Sequence, residues 1–245
     1  MDNYIDYFYK KYNAIKNLGW VKSSRQGNDA VGRTFEDLLG REENSLEIPD
    51  FNGIEIKTKR SYSKSFIGLF NMTPSGSHYH EIERLRDTYG YMDTKSKKYK
   101  VLNNSVFCNT RTFIGIHYQF MLEVDRFNKK IFLCIFDVHG CLIEKDVYWD
   151  FDTIREKLYR KLKILAFVKA KVRFVSGIEY FKYYDMKLYI LKDFDTFISL
   201  IEEGVIRLNF KISVFKSGRR CGQIHDHGTS FDIRECDLLK LYDEL

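Results

Sequence analysis

The stretch 205–215 shows the clearest alternation of apolar and polar side chains in the chain, and this alternation constrains the fold more than any other stretch. Because successive side chains of a β-strand point to opposite faces, the pattern predicts a strand with one buried and one polar face. The apolar positions are Ile206, Leu208, Phe210, Ile212 and Val214, and the polar positions are Arg207, Asn209, Lys211 and Ser213. The chain therefore needs a sheet that packs one face against a core.

Helical and extended patterns interleave along the rest of the chain. Apolar residues at helical spacing predict helices over about residues 5–18, 31–39, 152–165 and 194–203, the third capped by Asp152. Strand patterns cover residues 53–58, 112–138, 166–175 and 178–191, whereas residues 71–110 are predicted to be rich in loops. The predicted fold class is α/β or α+β with a mixed sheet, in a single folded chain.

The composition suits a globular protein with a polyanionic partner. Among 245 residues, 40 Lys and Arg oppose 34 Asp and Glu, a net charge of +6, and 44% of the residues are hydrophobic. The sequence has no apolar run of about 18 residues and no signal-peptide pattern. Its five cysteines never form C-x-x-C, which predicts reduced thiols and a cytoplasmic location, with neither a disulfide framework nor a zinc site.

The segment from Pro49 to Lys57 carries the most chemically suggestive pattern. Glu55 and Lys57 share one face of the strand predicted over 53–58, and Asp50 precedes the Asn-Gly turn that leads into it. Two carboxylates held close together suit Mg²⁺, which lowers the pKa of bound water, while Lys57 orients that water. The alternative is an ordinary ion pair on a surface strand, since short motifs often match by chance.

Glu36 lies in the predicted helix upstream of this strand, away from its apolar stripe. It is a candidate for a further carboxylate that reaches the metal site. The alternative, a solvated helix carboxylate, is favoured by the spacing alone.

A second polar segment runs from Ser217 to Ser230 and contains His225, Asp226 and His227. Two histidines and one carboxylate form only a weak zinc signal. A polar loop packed on the protein is one alternative, and the reading of base edges in a DNA groove is another. The adjoining polar strand face and the pair Arg219-Arg220 favour DNA.

Blocks of sequence along most of the chain resemble the MvaI/BcnI family of restriction endonucleases, in the MutH-like branch of the PD-(D/E)xK nucleases. The blocks are Gly27-Asn28, residues 32–39, Glu42-Glu43-Asn44, Pro49-Asp50-Phe51, residues 54–58, residues 147–152, Lys161-Leu162-Lys163, Ser217-Gly218 and residues 225–229. They occur in the family's order and at similar spacing, which is far more specific than one short motif.

The resemblance implies a Mg²⁺-dependent type II restriction endonuclease that cuts double-stranded DNA at a short, nearly palindromic site. It implies a monomer that nicks the two strands in sequence, with a cognate methyltransferase acting on the same site. The implied fold has two lobes around a DNA cleft, and we expect a catalytic lobe over residues 1–150 and a mainly DNA-recognition lobe over residues 151–245.

The resemblance also implies roles for individual residues. Asp50 and Glu55 bind the metal, Lys57 assists the attacking water, and Glu36 is a supporting carboxylate. The residues expected to contact DNA are Arg207, Asn209, Lys211, Arg219, Arg220, His225, Asp226, His227, Thr229 and Arg234.

Two departures from the family pattern concern DNA reading. The chain has Asn209-Phe210-Lys211 where the pattern has Asp-x-Arg, and Asp232 stands where an arginine is expected, with Arg234 two residues further on. Because lysine does not reproduce a bidentate arginine contact, the target sequence is not transferable. The alternative functions are a MutH-like nicking enzyme of a repair pathway, a DNA-binding protein on an inactive nuclease fold, and a zinc hydrolase that uses the two histidines.

Overall fold

The computed structural model describes residues 2–40, 51, 53–75, 80–94, 98–215 and 217–245. Its helices are α1 (Asp2–Asn17), α2 (Ala30–Leu38), α3 (Glu81–Tyr89), α4 (Phe151–Leu162), α5 (Phe194–Glu202) and α6 (Leu238–Leu241), with a 3₁₀ turn at Glu235–Asp237. The first eight strands are β1 (Val21–Lys22), β2 (Ile54–Arg60), β3 (Ile67–Asn71), β4 (Tyr91–Met92), β5 (Lys100–Val101), β6 (Ser105–Val106), β7 (Thr112–Ile114) and β8 (Tyr118–Asp125). The others are β9 (Lys130–Asp137), β10 (Leu142–Glu144), β11 (Tyr148–Asp150), β12 (Ile164–Val175), β13 (Ile178–Leu191), β14 (Arg207–Val214), β15 (Ile224–Ile233) and β16 (Tyr242–Glu244).

The chain folds into two compact units that interleave along the sequence. The first unit comprises Met1–Ser65, Tyr159–Lys192 and Tyr242–Leu245, and the second comprises Phe66–Leu158 and Asp193–Leu241. This division differs from the single boundary at residue 150 that we expected, because β12 pairs with β2 and β13 pairs with β12, so both strands return to the first unit. The catalytic and recognition roles of the two lobes stay predictions.

The first unit is built on one mixed sheet with the strand order β1-β13-β12-β2, and β16 also pairs with β13. β12 runs parallel to β2, whereas it forms a long antiparallel hairpin with β13. The apolar faces of α1 and α2 pack against this sheet, where Phe35 lies 4.9 Å from the ring of Tyr183. The hydroxyl of Tyr183 donates to the carbonyl of Val31 at 2.8 Å, which ties α2 to the sheet.

The second unit contains two larger sheets and one short one. Their strand orders are β3-β15-β14-β6, β10-β9-β8-β7 with β11 beside β9, and β4-β5. Phe70, Phe197, Phe231 and Trp149 pack edge to face or stacked in its core. These sheets and helices confirm the mixed α and β class and its interleaved elements. In the part of the chain that the structure describes, no helix has the length and apolar character to cross a membrane.

One local expectation is incomplete and another is wrong. The region predicted to be rich in loops contains α3, in which Ile82, Leu85 and Tyr89 are buried at helical spacing between polar residues. The cap of α4 is Asp150 and not Asp152, because the Asp150 carboxylate accepts from the backbone N–H of Asp152 at 2.9 Å. At its other end, α4 stops at Leu162, and strand β12 begins at Ile164, only two residues later.

Candidate active site and DNA-reading hairpin

A tight turn anchors the start of β2. Phe51 and Ile54 exchange backbone hydrogen bonds of 2.9 and 2.8 Å. Gly53 has a φ of +89°, a left-handed backbone conformation that glycine adopts without steric strain because it has no side chain. The ring of Phe51 packs against Tyr7 and Phe8 of α1. The first residues of β2 are therefore held firmly, whereas Asp50 lies outside the described residues, and its expected metal-binding role is untested.

Glu55 and Lys57 lie on one face of β2, as their spacing predicts. The Nζ of Lys57 donates to Oε1 of Glu55 at 2.8 Å. The side chain of Glu55 is only 2% exposed, whereas that of Lys57 is 23% exposed. Because a buried carboxylate is costly unless a cation or hydrogen-bond donors compensate it, the contact with Lys57 offsets part of the cost of burying Glu55.

Lys161 is a second cation at this site, and the sequence analysis did not single it out. Its Nζ lies 3.6 Å from Oε1 of Glu55, the same oxygen that Lys57 contacts. Lys161 is in the last turn of α4, which leads into β12, and β12 places Leu165 beside Glu55 in the parallel register. The sequence did contain an indication that Lys161 matters, because Lys161 belongs to one of the blocks that resemble the family.

Tyr242 is another neighbour of Glu55 that the sequence analysis missed. The side chain is fully buried, and its hydroxyl finds no hydrogen-bond partner among the described residues. Burial raises the pKa of Tyr242 above its usual range, and the charge of Glu55 raises it further. The carboxylate is thus buried beside Tyr242, where the electrostatic effect of nearby cations is stronger than in water.

Glu36 lies on α2, where its Oε2 is 3.4 Å from the guanidinium of Arg33 and its side chain is 21% exposed. Its Oε1 is near Gly32, which itself packs closely on Thr58 of β2. Because side chains alternate along a strand, Thr58 points away from the face that carries Glu55 and Lys57. The supporting catalytic role of Glu36 stays a prediction.

The strand predicted over residues 205–215 is β14, and its alternation is confirmed by burial. Every second side chain from Leu208 to Val214 is buried, whereas the side chains between them are half-buried. β14 pairs antiparallel with β15, and because most residues expected to contact DNA lie here, we call these two strands with Phe215 and residues 217–223 the DNA-reading hairpin. Ten residues were expected to contact DNA, and nine of them lie on this hairpin. The tenth, Arg234, follows β15.

At the base of the hairpin, the polar side chains bond to one another around Asp232, which is buried. Its Oδ2 accepts from Arg207 at 3.1 Å and from Asn209 at 3.0 Å, and its Oδ1 accepts from the hydroxyl of Ser230. The Oδ1 of Asn209 accepts from Ser105 at 3.3 Å. Arg207 and Asn209 therefore use some of their hydrogen-bonding groups for contacts within the protein.

Phe66 supports both arginines at this end of the hairpin. The guanidinium of Arg207 lies 3.6 Å from the centre of the Phe66 ring, and that of Arg234 lies 4.3 Å from it. Arg234 is exposed and Arg207 half-buried. Thr229, also expected to contact DNA, is buried, and its hydroxyl has no hydrogen-bond partner within the described ranges.

Toward the tip of the hairpin, Asn71 of β3 links the two strands. Its Oδ1 accepts from Lys211 at 3.3 Å, and its Nδ2 donates to the carbonyl of His227 at 3.4 Å. Gly228 has a φ of +80° and packs so closely on Asn71 that a Cβ there would lie 2.9 Å from Nδ2. Asp226 accepts from the N–H of Gly228 at 2.7 Å, which stabilises the local turn. Sequence reasoning missed Asn71.

At the tip, His225 stacks on Phe215, and His227 contacts His225 at a tilted angle of 45°. The ring of His225 lies 3.9 Å from that of Phe215 at an angle of 8°, and 3.7 Å from that of His227. Burial lowers the pKa of His227 below 6.5, and the charges of His225 and Lys211 lower it further. In the described ranges, no group of three or more His, Cys, Asp and Glu is arranged to hold a metal ion.

Comparisons with known proteins agree with these features. The model of the MvaI/BcnI restriction endonuclease family matches residues 9–242. The structure of restriction endonuclease MvaI with its cognate DNA substrate is 32% identical, covers 100% of this chain and 98% of that chain, and has a TM-score of 0.93. MvaI in the absence of DNA is 31% identical with the same coverage and a TM-score of 0.62. No curated protein matches the chain.

The family match extends over nearly the whole chain, and the solved relative is similar in both sequence and fold. The resemblance that the sequence indicated is thereby confirmed. The chain belongs to the MvaI/BcnI restriction endonuclease family.

Proposed function

We propose that this chain is a type II restriction endonuclease that hydrolyses phosphodiester bonds of double-stranded DNA at a short, nearly palindromic site. The observation that carries the proposal is the similarity, over the full chain, to MvaI in complex with its cognate DNA substrate. The buried Glu55 with its two lysines supports a hydrolytic site in the first unit.

The donor chemistry of this site fits Mg²⁺. Glu55 and Asp50 would supply the carboxylate oxygens that this ion prefers, and Mg²⁺ commonly keeps few protein ligands and several waters. When bound, Mg²⁺ lowers the pKa of a water molecule and neutralises charge on the reacting phosphate. Lys57 orients the attacking water and stabilises negative charge on the phosphate oxygens, and Glu36 is the supporting carboxylate.

The exposed part of the DNA-reading hairpin supplies groups that suit base edges and phosphates. Lysine and arginine donate to guanine, whereas aspartate accepts from cytosine. Lys211, His225, Asp226 and His227 are our candidates for base contacts, and Arg219 and Arg220 suit the backbone. Contacts from Arg207, Asn209, Thr229 and Arg234 to DNA remain part of the proposal.

We also propose an oligomeric state and a cellular location for the protein. As a monomer with one active site, the protein nicks one strand, binds again and nicks the other. It acts in the cytoplasm beside a DNA methyltransferase that modifies the same site and need not bind the nuclease.

A digest of unmethylated supercoiled plasmid tests the proposal. We expect open circles first and linear DNA later with Mg²⁺, and no cutting with EDTA; sequencing of the ends then gives the site. Open circles that never become linear would indicate a nicking enzyme. Specific binding without any cutting would indicate a DNA-binding protein on a nuclease fold, and cutting that needs tightly bound zinc would indicate the zinc hydrolase.

A further inference from the structure

Four side chains at the tip of the DNA-reading hairpin form a continuous series of contacts, which we call the aromatic column. The guanidinium of Arg220 lies 4.4 Å from the centre of the Phe215 ring. Phe215 stacks almost parallel on His225, and His225 contacts His227. All four groups belong to the second unit.

Backbone pairing explains why these rings meet. Ser213 pairs with His225 across the hairpin, and the N–H of Phe215 donates to the carbonyl of Gln223 at 2.9 Å. Phe215 and His225 are therefore diagonal neighbours on the same face, a distance that aromatic side chains can bridge. The position of Phe215 continues the polar face of β14, so an apolar ring stands where the alternation predicts a polar residue.

A ring at this place has a specific effect on a histidine. Imidazole contacts a base edge through a nitrogen in the ring plane, so the direction of its hydrogen bond depends on that plane. An interplanar angle of 8° at 3.9 Å holds the plane of His225 against Phe215. The cation of Arg220 over the Phe215 ring adds a favourable cation–π contact.

We propose that Phe215, backed by Arg220, is a positioning residue that orients His225 and His227 for reading specific base pairs of DNA. Phe215 has no hydrogen-bonding group in its side chain, so it acts through His225. This inference rests on the proposed function, and it assigns to Phe215 a role in sequence discrimination that is separate from the affinity for DNA in general.

The first test needs no DNA. The variant F215L keeps apolar bulk but removes the ring, whereas F215W restores a ring. Stacking shifts the ring protons of His225 upfield in the NMR spectrum of the full chain. We expect F215L to lose that shift, F215W to retain one, and F113A, at an exposed phenylalanine outside the hairpin, to leave it unchanged. An unchanged shift in F215L would overturn the column.

The second test measures discrimination on duplexes that carry the site mapped from the plasmid digest or single-base-pair substitutions of it. We expect F215L to lose roughly tenfold discrimination at one or two base pairs, with F215W restoring it and F113A resembling the unaltered protein. Equal slowing of F215L on all duplexes, or a lower Tm with full discrimination, would reduce Phe215 to a structural residue and overturn the proposal. If the unaltered protein cuts no DNA, the proposed function fails first, and the role of Phe215 in reading falls with it.

Discussion

The Nζ of Lys161 lies 3.6 Å from Oε1 of Glu55, the oxygen that already accepts a hydrogen bond from Lys57. Two cations thus share one oxygen of a carboxylate that is almost completely buried. One of them comes from β2 itself and the other from the last turn of α4, more than a hundred residues later in the chain.

Replacing Glu55 or Lys57 should separate cutting from binding. We expect Glu55→Gln and Lys57→Met, like Asp50→Ala, to reduce single-turnover cleavage at least about 100-fold, because they remove a metal-binding carboxylate or the ammonium that orients water. Specific DNA binding in Ca²⁺, measured by gel shift, should persist. Lys64→Met, at an exposed lysine beyond β2, is the control. Cutting at the rate of the unaltered protein, or loss of specific binding, would contradict these roles.

Lys161→Met should destabilise the protein by removing one of the two cations around Glu55. We expect a loss of about 1 kcal/mol in the free energy of unfolding, measured with urea, because Lys57 still compensates the carboxylate. The control is Lys163→Met, at an exposed lysine two residues further on, with a change near zero. Equal losses in both variants would argue against the contact.

Asp232→Ala should cost much more stability than a surface substitution. The change leaves Arg207, Asn209 and Ser230 without their shared acceptor in a buried setting, for which we expect about 3 kcal/mol. Asp232→Asn, which keeps an acceptor, should cost less. Asp226→Asn is the matched control at an exposed position of the same strand. A Tm for Asp232→Ala that matches this control would rule out the network as a stabilising element.

The affinity for DNA should fall steeply with salt. Each phosphate contact contributes a slope of about −0.9 to a plot of log K against log salt concentration. We expect Arg219→Gln to reduce the slope by about one unit without changing sequence preference, since this side chain is exposed and is a candidate for a backbone contact. A flat salt dependence of the unaltered protein would contradict a binding surface built on phosphate contacts.

The lowered pKa of His227 should be visible by NMR titration. We expect Lys211→Met to move this pKa back toward 6.5, because it removes a nearby positive charge, while burial keeps part of the shift. The folded state then binds this proton less readily than the unfolded chain, so this histidine's contribution to stability is constant above pH 6.5 and falls as the pH drops below it. A pKa that rises above 6.5 in the unaltered protein would refute this.

Local pattern in the sequence was sufficient for several elements of the fold and the site. The alternation of β14 and the shared face of Glu55 and Lys57 follow from the two-residue period of a strand, which acts over neighbouring residues only. Apolar spacing likewise located α1, α2 and α5 to within a few residues. The short helix α3 was missed because its buried residues stand among charged neighbours, in a region that also contains the helix-breaking residues Gly and Pro.

The tertiary structure alone decided which distant residues meet. Lys161 reaches Glu55 because β12 pairs in parallel with β2, and Asp232 gathers Arg207 and Asn209 because β15 pairs with β14 in one register. Phe215 stacks on His225 for the same reason. A strand's sequence determines which side chains share a face, whereas the partner across the sheet depends on pairing, and pairing is settled by the packing of the whole core.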